Sequence, residues 1–347
     1  MAEPNLRIAV DAMGGDHAPA EIVRGAYRSA VEDGIAILLV GDRERIASEL
    51  ERLGAESPRI EVVHAAEAVG MDEPAVTPIR RKRRASVRVC AELVRDGRAG
   101  AMLTAGHTGA AMVAAKMVLG TLPGVDRPAL AAVLPNRRDR TVLLDAGANV
   151  DSRPEHLRQF AIMGHFYAQE ILGIPEPRVG LLSIGEEEAK GNDVTRRGLH
   201  VLRESGIRFA GNIEGRDLFS GNVDVAVCDG FVGNLLLKSA EAMAELLAEM
   251  LRAELGRDTR SRMGTLLAAP ALASLKARTD YRELGAVPLL GLDGGCFIAH
   301  GRSTSRAIQS ALRRAVEFVA AGVHGKIREK VAVMRAAEQR LSSETAG

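Results

Sequence analysis

The sequence lacks several features that mark other classes of protein. It contains no tryptophan, and only 3% of its 347 residues are aromatic, which disfavours the stacking platforms that bind single-stranded nucleic acids. Its formal net charge is only +1, whereas general nucleic-acid binding needs a broad basic face. No apolar run reaches the roughly 18 residues that span a bilayer, and the chain shows no signal peptide. We therefore expect a cytoplasmic protein that is not integral to a membrane.

The sequence also lacks the short motifs of many enzyme classes. Its three cysteines form no CxxC pair, and its histidines form no HExxH, so neither a disulfide framework nor a metal site is predicted. No GxGxxG follows a strand, and no GxxxxGK[S/T] or GxSxG occurs. Dinucleotide binding, P-loop nucleotide binding and serine-hydrolase chemistry therefore lose their usual support.

Short apolar runs alternate with longer helical patterns through most of the chain, and this alternation predicts a mostly parallel, doubly wound α/β sheet. Ligands bind such sheets beyond the carboxyl ends of the strands. The predicted strands are Leu6–Val10, Ile35–Val40, Ile60–Val63, Ala101–Thr104, Ala129–Leu134, Thr141–Leu144, Val179–Ser183 and Val223–Cys228. The predicted helices between them are Ala20–Glu32, Arg43–Leu53, Ala85–Arg95, Thr108–Val118, Pro154–Leu172 and Asp193–Ser205.

After Asp229 the pattern becomes helical. A long helix is predicted over Asn234–Leu255, and a second helix, interrupted at Pro270, over Arg257–Arg282. A last strand, Val287–Leu290, and a last helix, Thr304–Ala321, follow. We predict one catalytic α/β domain over residues 1–335, with a helical excursion at about 235–282, and a disordered tail over 336–347.

The stretch Met102–Lys116 is typical of a buried strand, a glycine turn and the start of a helix. Thr104, His107 and Thr108 lie where side chains and free backbone N–H groups can meet an anion. The positive end of the helix dipole favours phosphate at such a turn. A tight strand-to-helix connection without a ligand is the alternative.

Five strand-to-turn junctions share one design, an apolar run followed by a small polar or acidic residue and glycine. Because parallel strands end at one edge of a sheet, we expect these junctions to converge there. Each Asp-Gly pair alone is more typical of a turn or helix cap. The junctions are Val10–His17, Leu144–Asn149, Ser183–Asn192, Cys228–Asn234 and Gly294–Gly301.

Three further features could carry chemistry or binding. Lys190 could neutralise phosphate or a developing oxyanion, or be a solvated loop lysine. His300 could act as a general acid, base or donor, or be an ordinary capping or core histidine, and His17 and His107 are weaker candidates for this work. The basic run Arg80–Arg84 could dock an acidic partner, or be a solvated surface.

Taken together, these stretches resemble one family, the acyl-ACP:phosphate acyltransferases of bacterial phospholipid synthesis (the PlsX family). The matching segments span nearly the whole chain in order. At two positions, His107 and Ser183, the family pattern leads us to expect asparagine instead. The matches are DAMGGDHAP (Asp11–Pro19), TAGHTGA (Thr104–Ala110), RPAL (Arg127–Leu130), LLDAGAN (Leu143–Asn149), GLLSIGEEEAKGN (Gly180–Asn192), DGFVGNLLLK (Asp229–Lys238) and Pro288–Gly301.

The resemblance implies that phosphate attacks the thioester of a long-chain acyl-acyl carrier protein, with no cofactor and no metal. It implies a Rossmann-like three-layer α/β/α sandwich, similar to phosphate acetyltransferases and isocitrate dehydrogenase-like enzymes, with a protruding helical hairpin. The implied catalytic residues are Lys190, Asp229, Asn234 and His300. The implied phosphate- and substrate-binding residues are Asp11, Gly14, Gly15, Asp16, Thr104, Gly106, His107, Thr108, Gly109, Asp145, Gly147, Asn149, Asn192, Gly230 and Gly301.

The resemblance also implies partners: a second copy of the chain, the acyl carrier protein, a membrane surface and a downstream glycerol-3-phosphate acyltransferase. Arg80, Arg81 and Lys82 are the expected carrier-docking residues, and Leu266, Leu267 and Leu272 the expected membrane contacts. A helical hairpin that only packs in a dimer is an alternative for these leucines. The alternative functions are a phosphate acetyl- or butyryltransferase using acyl-CoA, a dehydrogenase of the isocitrate type, and a non-catalytic adaptor.

Overall fold

A computed structural model describes residues 6–54, 57–70, 72–73, 79, 81–279 and 285–333. Eleven strands form one sheet in the order β3-β2-β1-β4-β11-β10-β5-β6-β9-β7-β8. The central strands are apolar and fully buried, as expected for strands covered on both faces. The strands are β1 Ile8–Asp11, β2 Ile37–Gly41, β3 Ile60–His64, β4 Ala101–Thr104, β5 Ala129–Pro135, β6 Arg140–Leu144, β7 Val179–Leu182, β8 Phe209–Ile213, β9 Val225–Val227, β10 Ala286–Leu290 and β11 Gly295–Ala299.

Helices cover both faces of the sheet and make a three-layer α/β/α sandwich. Helices α1, α2, α5, α6 and α10 pack on one face, and α3, α4, α7 and the start of α8 pack on the other. Many helices begin at a residue whose side chain caps the first turn, as Asp42, Asn192 and Thr304 do. The helices are α1 Ala20–Glu32, α2 Arg43–Arg52, α3 Ser86–Arg95, α4 Thr108–Leu119, α5 Pro154–Ile171, α6 Asp193–Arg203, α7 Asp217–Ser220, α8 Gly230–Gly256, α9 Thr259–Thr279 and α10 Ser305–Ala320.

The sheet consists of two sets of strands. The strands within each set run in the same direction, and the two sets run in opposite directions. Seven strand pairings are parallel, and the three antiparallel ones, β11–β10, β10–β5 and β5–β6, lie at its centre. Consequently β1, β4 and β11 end at one edge of the sheet, which we call the first edge. Strands β6, β7 and β9 end at the opposite edge, the second edge. This topology confirms the predicted mostly parallel α/β sandwich.

Strand β10 measures the separation of the two edges. Its residue Ala286 pairs with Ala299 beside the first edge, and its residue Leu290 pairs with Ala129 beside the second. At about 3.3 Å per residue, these two pairs lie about 13 Å apart. The expectation that all five junctions converge at one edge is therefore wrong, because half of the strands point the other way.

Helices α8 and α9 pack against each other and form the protruding hairpin. Helix α9 continues through Pro270, so the predicted interruption there is wrong. Residues 280–282 of the predicted second helix, and the predicted tail 336–347, lie outside the described residues. Within the described part of the chain, none of the helices combines the length and the apolar character that a membrane span requires.

Two strands escaped prediction. Strand β8 reads Phe-Ala-Gly-Asn-Ile, with glycine and asparagine in place of a clear alternation. Strand β11 begins at the second glycine of a Gly-Gly pair, a pattern more typical of a turn. Pairing of β8 with β7, and of β11 with β4 and β10, makes both segments extended, and a local pattern does not encode such pairing.

Candidate active site

Three junctions interlock at the first edge. The backbone N–H of Asp16 donates to the carbonyl oxygen of Gly301 at 2.8 Å. Gly15, which adopts a φ of 114°, lies against the same carbonyl. This close approach joins the loop after β1 to the loop after β11, and the loop after β4 contacts the loop after β1 at Gly14 and Gly15.

A buried hydrogen-bond relay joins β1 to β4. The hydroxyl of Thr104 donates to Oδ2 of Asp11 at 2.7 Å and accepts from the backbone N–H of Gly106 at 3.0 Å. Oδ1 of Asp11 accepts from the N–H of Met13 at 3.1 Å. Burial raises the pKa of Asp11, while hydrogen bonds from Ser86 and Thr104 oppose this rise.

Gly14 is placed directly on this relay. A Cβ atom at Gly14 would lie 2.6 Å from Oδ2 of Asp11 and 2.8 Å from both the Gly106 nitrogen and the Thr104 hydroxyl. Only glycine fits such an approach without displacing the relay. Gly14, Asp11 and Thr104 thus form one packed unit, and the contact of Asp11 with substrate stays a prediction.

Helix α4 begins immediately after this unit. His107 is its N-cap, and Nδ1 of His107 accepts from the N–H of Ala110 at 3.2 Å. The backbone N–H groups of Thr108 and Gly109, the first two of the helix, have no acceptor within it. His107 and Gly109 are half-buried and Thr108 is exposed. A small pocket beside His107, Gly106 and Asp11 has a volume of about 10 Å³, room for about one water molecule.

His300 also lies at the first edge, directly after β11. Its side chain is exposed, and its Nδ1 atom accepts from the N–H of Arg302 at 3.2 Å. Asp16 and His17 are exposed on the neighbouring loop. The first edge therefore brings together the two histidines 107 and 300, a helix N-terminus and the interlocked glycines.

The second edge is organised by Asp145, whose side chain is fully buried. Its Oδ1 atom accepts from the N–H groups of Leu130, Gly147 and Ala148 at 2.9–3.1 Å. Its Oδ2 atom accepts from the backbone and side chain of Asn149 at 2.7 and 2.8 Å. All five donors belong to the protein, and the contact of Asp145 with phosphate stays a prediction.

The start of α8 packs tightly on this loop. The N–H of Gly230 donates to the carbonyl oxygen of Asn149 at 2.7 Å, and a Cβ atom at Gly233 would lie 1.9 Å from the carbonyl oxygen of Asp145. Oδ1 of Asp229 caps the helix by accepting from the N–H of Val232 at 2.8 Å. Asn234 is exposed and faces Gly147.

Lys190 lies in the loop after β7, also at the second edge. It is exposed, and its stem lies against Gly185. Asn192, two residues later, caps α6 by accepting from the N–H of Thr195 at 2.9 Å. Two buried atoms near this loop, Oγ of Ser183 and Oδ1 of Asn212, have no hydrogen-bond partner among the described residues.

The predicted site residues therefore fall into two groups. The first edge holds Asp11, Gly14, Gly15, Asp16, Thr104, Gly106, His107, Thr108, Gly109, His300 and Gly301. The second edge holds Asp145, Gly147, Asn149, Lys190, Asn192, Asp229, Gly230 and Asn234. One chain does not bring Lys190 or Asn234 to the phosphate seat predicted at Gly106–Gly109.

Sequence reasoning missed Ser86 and Asn212. Ser86, the first residue of α3, is buried and hydrogen bonds to Asp11. Asn212 in β8 is buried, and its amide donates to the carbonyl oxygen of Glu187 at 3.0 Å. Neither residue stands in a motif, and only the packing of distant segments reveals them.

The residues expected to contact the carrier protein and the membrane differ in their exposure and hydrogen bonding. Arg80 lies outside the described residues, and Arg81 is exposed. The ammonium of Lys82 is held by the Glu73 carboxylate at 2.6 Å and by the carbonyl oxygen of Ala68 at 2.9 Å. In the hairpin, Leu266 and Leu267 are 77% and 87% exposed, whereas Leu272 is partly buried.

No thiol is prepared for nucleophilic attack. Cys90, Cys228 and Cys296 are all buried. Burial raises the pKa of Cys296 to about 12 and the pKa values of the other two thiols well above their ordinary range. Within the described residues, no group of histidine, cysteine and acidic side chains is arranged to hold a metal ion.

Comparisons with known proteins identify the family and agree with the fold. The model of one family, described as fatty acid synthesis protein, matches residues 6–326. A phosphate acyltransferase of Pelotomaculum thermopropionicum is 52% identical over 314 residues, covering 90% of this chain and 92% of that relative. A phosphate acyltransferase of Desulforamulus reducens is 51% identical over 327 residues, covering 94% of this chain and 97% of the relative.

Solved structures resemble the chain in fold. EutD phosphotransacetylase from Staphylococcus aureus has a TM-score of 0.61 at 14% identity, covering 91% of this chain and 94% of that one. A phosphotransacetylase from Streptococcus pyogenes also has a TM-score of 0.61, at 17% identity, covering 90% of this chain and 93% of that one. At this identity the likeness concerns the fold alone.

Proposed function

The chain belongs to the fatty acid synthesis protein family and is a phosphate acyltransferase, and from this premise we propose that its acyl donor is a long-chain acyl-acyl carrier protein. An oxygen of inorganic phosphate attacks the thioester carbonyl carbon, a C–O bond forms, and the C–S bond breaks. The products are acyl phosphate and the carrier thiol, which takes up a proton. We place this reaction in phospholipid synthesis.

The observation that carries the proposal is the interlocked first edge. Phosphate is already a nucleophile, so catalysis needs positioning and stabilisation of the tetrahedral oxyanion. The start of α4 offers the N–H groups of Thr108 and Gly109 and the positive end of a 12-residue helix. The relay beneath it holds this seat rigid, and His300 lies beside it to orient phosphate or the thioester carbonyl.

Lys190 and Asn234 need a different explanation, because they lie at the second edge. We propose that the protein is a homodimer in which Lys190 and Asn234 of the partner subunit complete the seat. The opposite strand directions and the exposed apolar hairpin support this arrangement, since a twofold axis can bring a first edge against a second edge. Asp229, as the cap of α8, would position Asn234 without contacting substrate.

The surface supports two further parts of the proposal. Arg81 is exposed near the start of α3, where it would attract the acidic carrier protein; Lys82 serves the local fold through Glu73. Leu266 and Leu267 protrude from the hairpin with Arg262 nearby on the same helix, a combination that suits an anionic bilayer surface. A downstream glycerol-3-phosphate acyltransferase would receive the reactive acyl phosphate.

Hydroxylamine trapping tests the proposed reaction. Palmitoyl-acyl carrier protein, phosphate and the enzyme should yield more palmitoyl hydroxamate than hydroxylamine forms from the thioester alone, and this excess should vanish without phosphate. Acetyl-CoA and butyryl-CoA serve as matched donors. A kcat/KM for either CoA ester above that for the palmitoyl carrier would overturn the proposed donor in favour of a short-chain phosphate acyltransferase.

A further inference from the structure

We propose that Asn212 is a positioning residue for the reaction, because it holds the loop that carries Lys190 through the carbonyl oxygen of Glu187. The inference rests on the proposed function, since it takes Lys190 to compensate negative charge on phosphate or on the oxyanion. Asn212 stands in none of the sequence motifs, and in this role it does not contact substrate itself.

The Glu187 carbonyl oxygen joins Asn212 to Lys190. It accepts from the side-chain amide of Asn212 at 3.0 Å and from the backbone N–H of Lys190 at 3.0 Å. Asn212 is buried in β8, where it pairs with Leu181 of β7. A single acceptor atom therefore connects the backbone of the exposed lysine to a side chain that is fixed in the sheet.

The oxygen of the Asn212 amide shows that stability alone does not explain this residue. A carbonyl oxygen can only accept hydrogen bonds, so the amide nitrogen has to face Glu187. Oδ1 of Asn212 is then left buried, and none of the described residues donates to it. A buried polar atom without a partner destabilises a fold, and such a departure from good packing is typical of positions that serve function.

The two ends of the loop are anchored independently of Asn212. At the start, the N–H of Ser183 donates to the carbonyl oxygen of Ile213 at 2.8 Å. Gly191, directly after Lys190, adopts a φ of 102°, and a Cβ atom there would lie 2.8 Å from the hydroxyl of Ser183. The amide of Asn212 thus adds a buried anchor between two ends that are already held.

The acidic residues before Lys190 are paired with arginines. The Glu186 carboxylate accepts from Arg216 at 2.9 Å, and the Glu188 carboxylate pairs with Arg203. Among the described residues, none forms an ion pair with the Lys190 ammonium. The anchored loop therefore presents an unpaired positive charge, as compensation of a developing negative charge requires.

The substitution Asn212→Leu removes the amide and keeps a side chain of similar size. The Glu187 carbonyl still accepts from Lys190, and the unpartnered Oδ1 is lost, so the Tm should stay within about 3 °C of wild type. We expect kcat to fall at least tenfold, with the KM for the acyl donor within twofold of wild type. Asn222→Leu, the same change at an exposed asparagine between α7 and β9, should alter neither kcat nor Tm.

A double-substitution cycle tests whether Asn212 acts through Lys190. If it does, Asn212→Leu should lower the kcat of wild type at least tenfold, but the residual kcat of Lys190→Ala less than twofold. Equal losses in the two backgrounds would show that Asn212 acts independently of Lys190. A wild-type kcat for Asn212→Leu would show that the anchor is not needed, and either result overturns the proposal.

Hydrogen exchange measures the loop itself without relying on activity. In Asn212→Leu, amides of residues 184–192 should exchange at least fivefold faster than in wild type or Asn222→Leu, whereas amides of β7 and β9 should keep their rates. Unchanged exchange in the loop would overturn the positioning role. Faster exchange throughout the sheet, together with a lower Tm, would make Asn212 an ordinary core residue and would also overturn it.

Failure of the proposed function has a different signature. A wild-type enzyme that forms no acyl phosphate, or a Lys190→Ala variant with full activity, would refute the proposed reaction or the part of Lys190 in it. The exchange experiment would still show whether Asn212 holds the loop, because it requires neither substrate nor turnover.

Discussion

Asp11 and Asp145 occupy strand ends where an acidic residue before glycine suggests a ligand site, yet protein donors surround both carboxylates. Asp145 accepts five hydrogen bonds from its own loop and from Leu130. Asp11 accepts from Thr104 and Met13. A buried carboxylate needs hydrogen-bond donors around it. Asp11 and Asp145 therefore hold the shape of the loops that carry free N–H groups.

His324 makes stability depend on pH. Its ring packs edge-to-face on Phe318 at 4.8 Å, and both ring nitrogens are buried without a partner. Burial lowers its pKa from 6.5 to about 4, with Asp293 and Arg328 the charged groups nearby. The unfolded chain therefore binds a proton at His324 more readily than the folded protein does. The contribution of the neutral His324 ring to the free energy of unfolding is thus present above pH 6.5 and is lost as the pH falls towards 4.

Urea unfolding at several pH values between 7 and 4 checks this prediction. The difference in unfolding free energy between wild type and His324→Phe should change by up to ~3 kcal/mol over that range, the variant being favoured at low pH. A difference that stays constant with pH would show that His324 does not titrate as its burial requires.

Arg81 should contribute to docking of the acyl carrier. Arg81→Glu reverses an exposed charge and should raise the KM for palmitoyl carrier roughly tenfold, about 1.4 kcal/mol, with kcat unchanged and the effect weakened by salt. Arg208→Glu, an equal change at the exposed start of β8, should have no effect. Equal KM values for the two variants would exclude Arg81 from docking.

Helices in this protein are positioned by glycines where they meet loops. Helix α8 is long and largely exposed, but its first turn touches the Asp145 loop through Gly230 and Gly233. Helix α9, by contrast, contains Gly264 with no atom near its missing side chain. The same residue type therefore has opposite effects on stability at the two ends of the hairpin.

Alanine substitutions should reveal this contrast. Gly233→Ala places a methyl group against the Asp145 carbonyl and should destabilise the protein by about 3 kcal/mol. Gly264→Ala, in an exposed helix interior, should stabilise it by roughly 0.5–1 kcal/mol. Thermal unfolding of both variants measures this, and an unchanged Tm for Gly233→Ala would contradict the tight contact.

The tip of the hairpin should bind lipid. Leu266→Glu/Leu267→Glu removes two of the most exposed apolar side chains and should abolish flotation with vesicles that contain anionic lipid. Val31→Glu/Met117→Glu changes two exposed apolar residues outside the hairpin and should leave flotation intact. If flotation of the first variant is undiminished, these leucines do not bind lipid and their role is packing between subunits.

The molecule is built around one sheet, and the strands of its two halves run in opposite directions. This arrangement exposes two sets of loops about 13 Å or more apart along the strands. A single chain therefore presents two separate groups of loops, and the homodimer that we propose would combine the first edge of one subunit with the second edge of the other.

Mixing two inactive variants tests this arrangement. Lys190→Ala disables the second edge and His300→Ala the first, and each alone should lower kcat/KM at least a hundredfold. After unfolding and refolding as a 1:1 mixture, half of the dimers contain both chains and one intact site each, so about a quarter of wild-type activity should return. No recovery would place both residues in separate functions or in a site within one chain.

Local patterns along the chain were enough to predict the α/β class, most strand and helix positions and the family, because apolar periodicity, capping residues and contiguous glycine motifs are local properties. It also indicated the start of α4 as an anion seat. Helix α1, for instance, spans Ala20–Glu32 as predicted. Strands β8 and β11 are not predicted, because pairing with strands distant in sequence, rather than local pattern, makes them extended.

How the junctions are divided between the two edges became clear only from the three-dimensional fold. Strand direction depends on which strands pair, and the antiparallel centre formed by β10, β5 and β6 arises from contacts distant in sequence. The same holds for Asp11, whose partner Thr104 lies 93 residues away. A motif therefore reveals which residues can do chemistry, whereas long-range pairing decides which of them face a ligand and which hold the others in place.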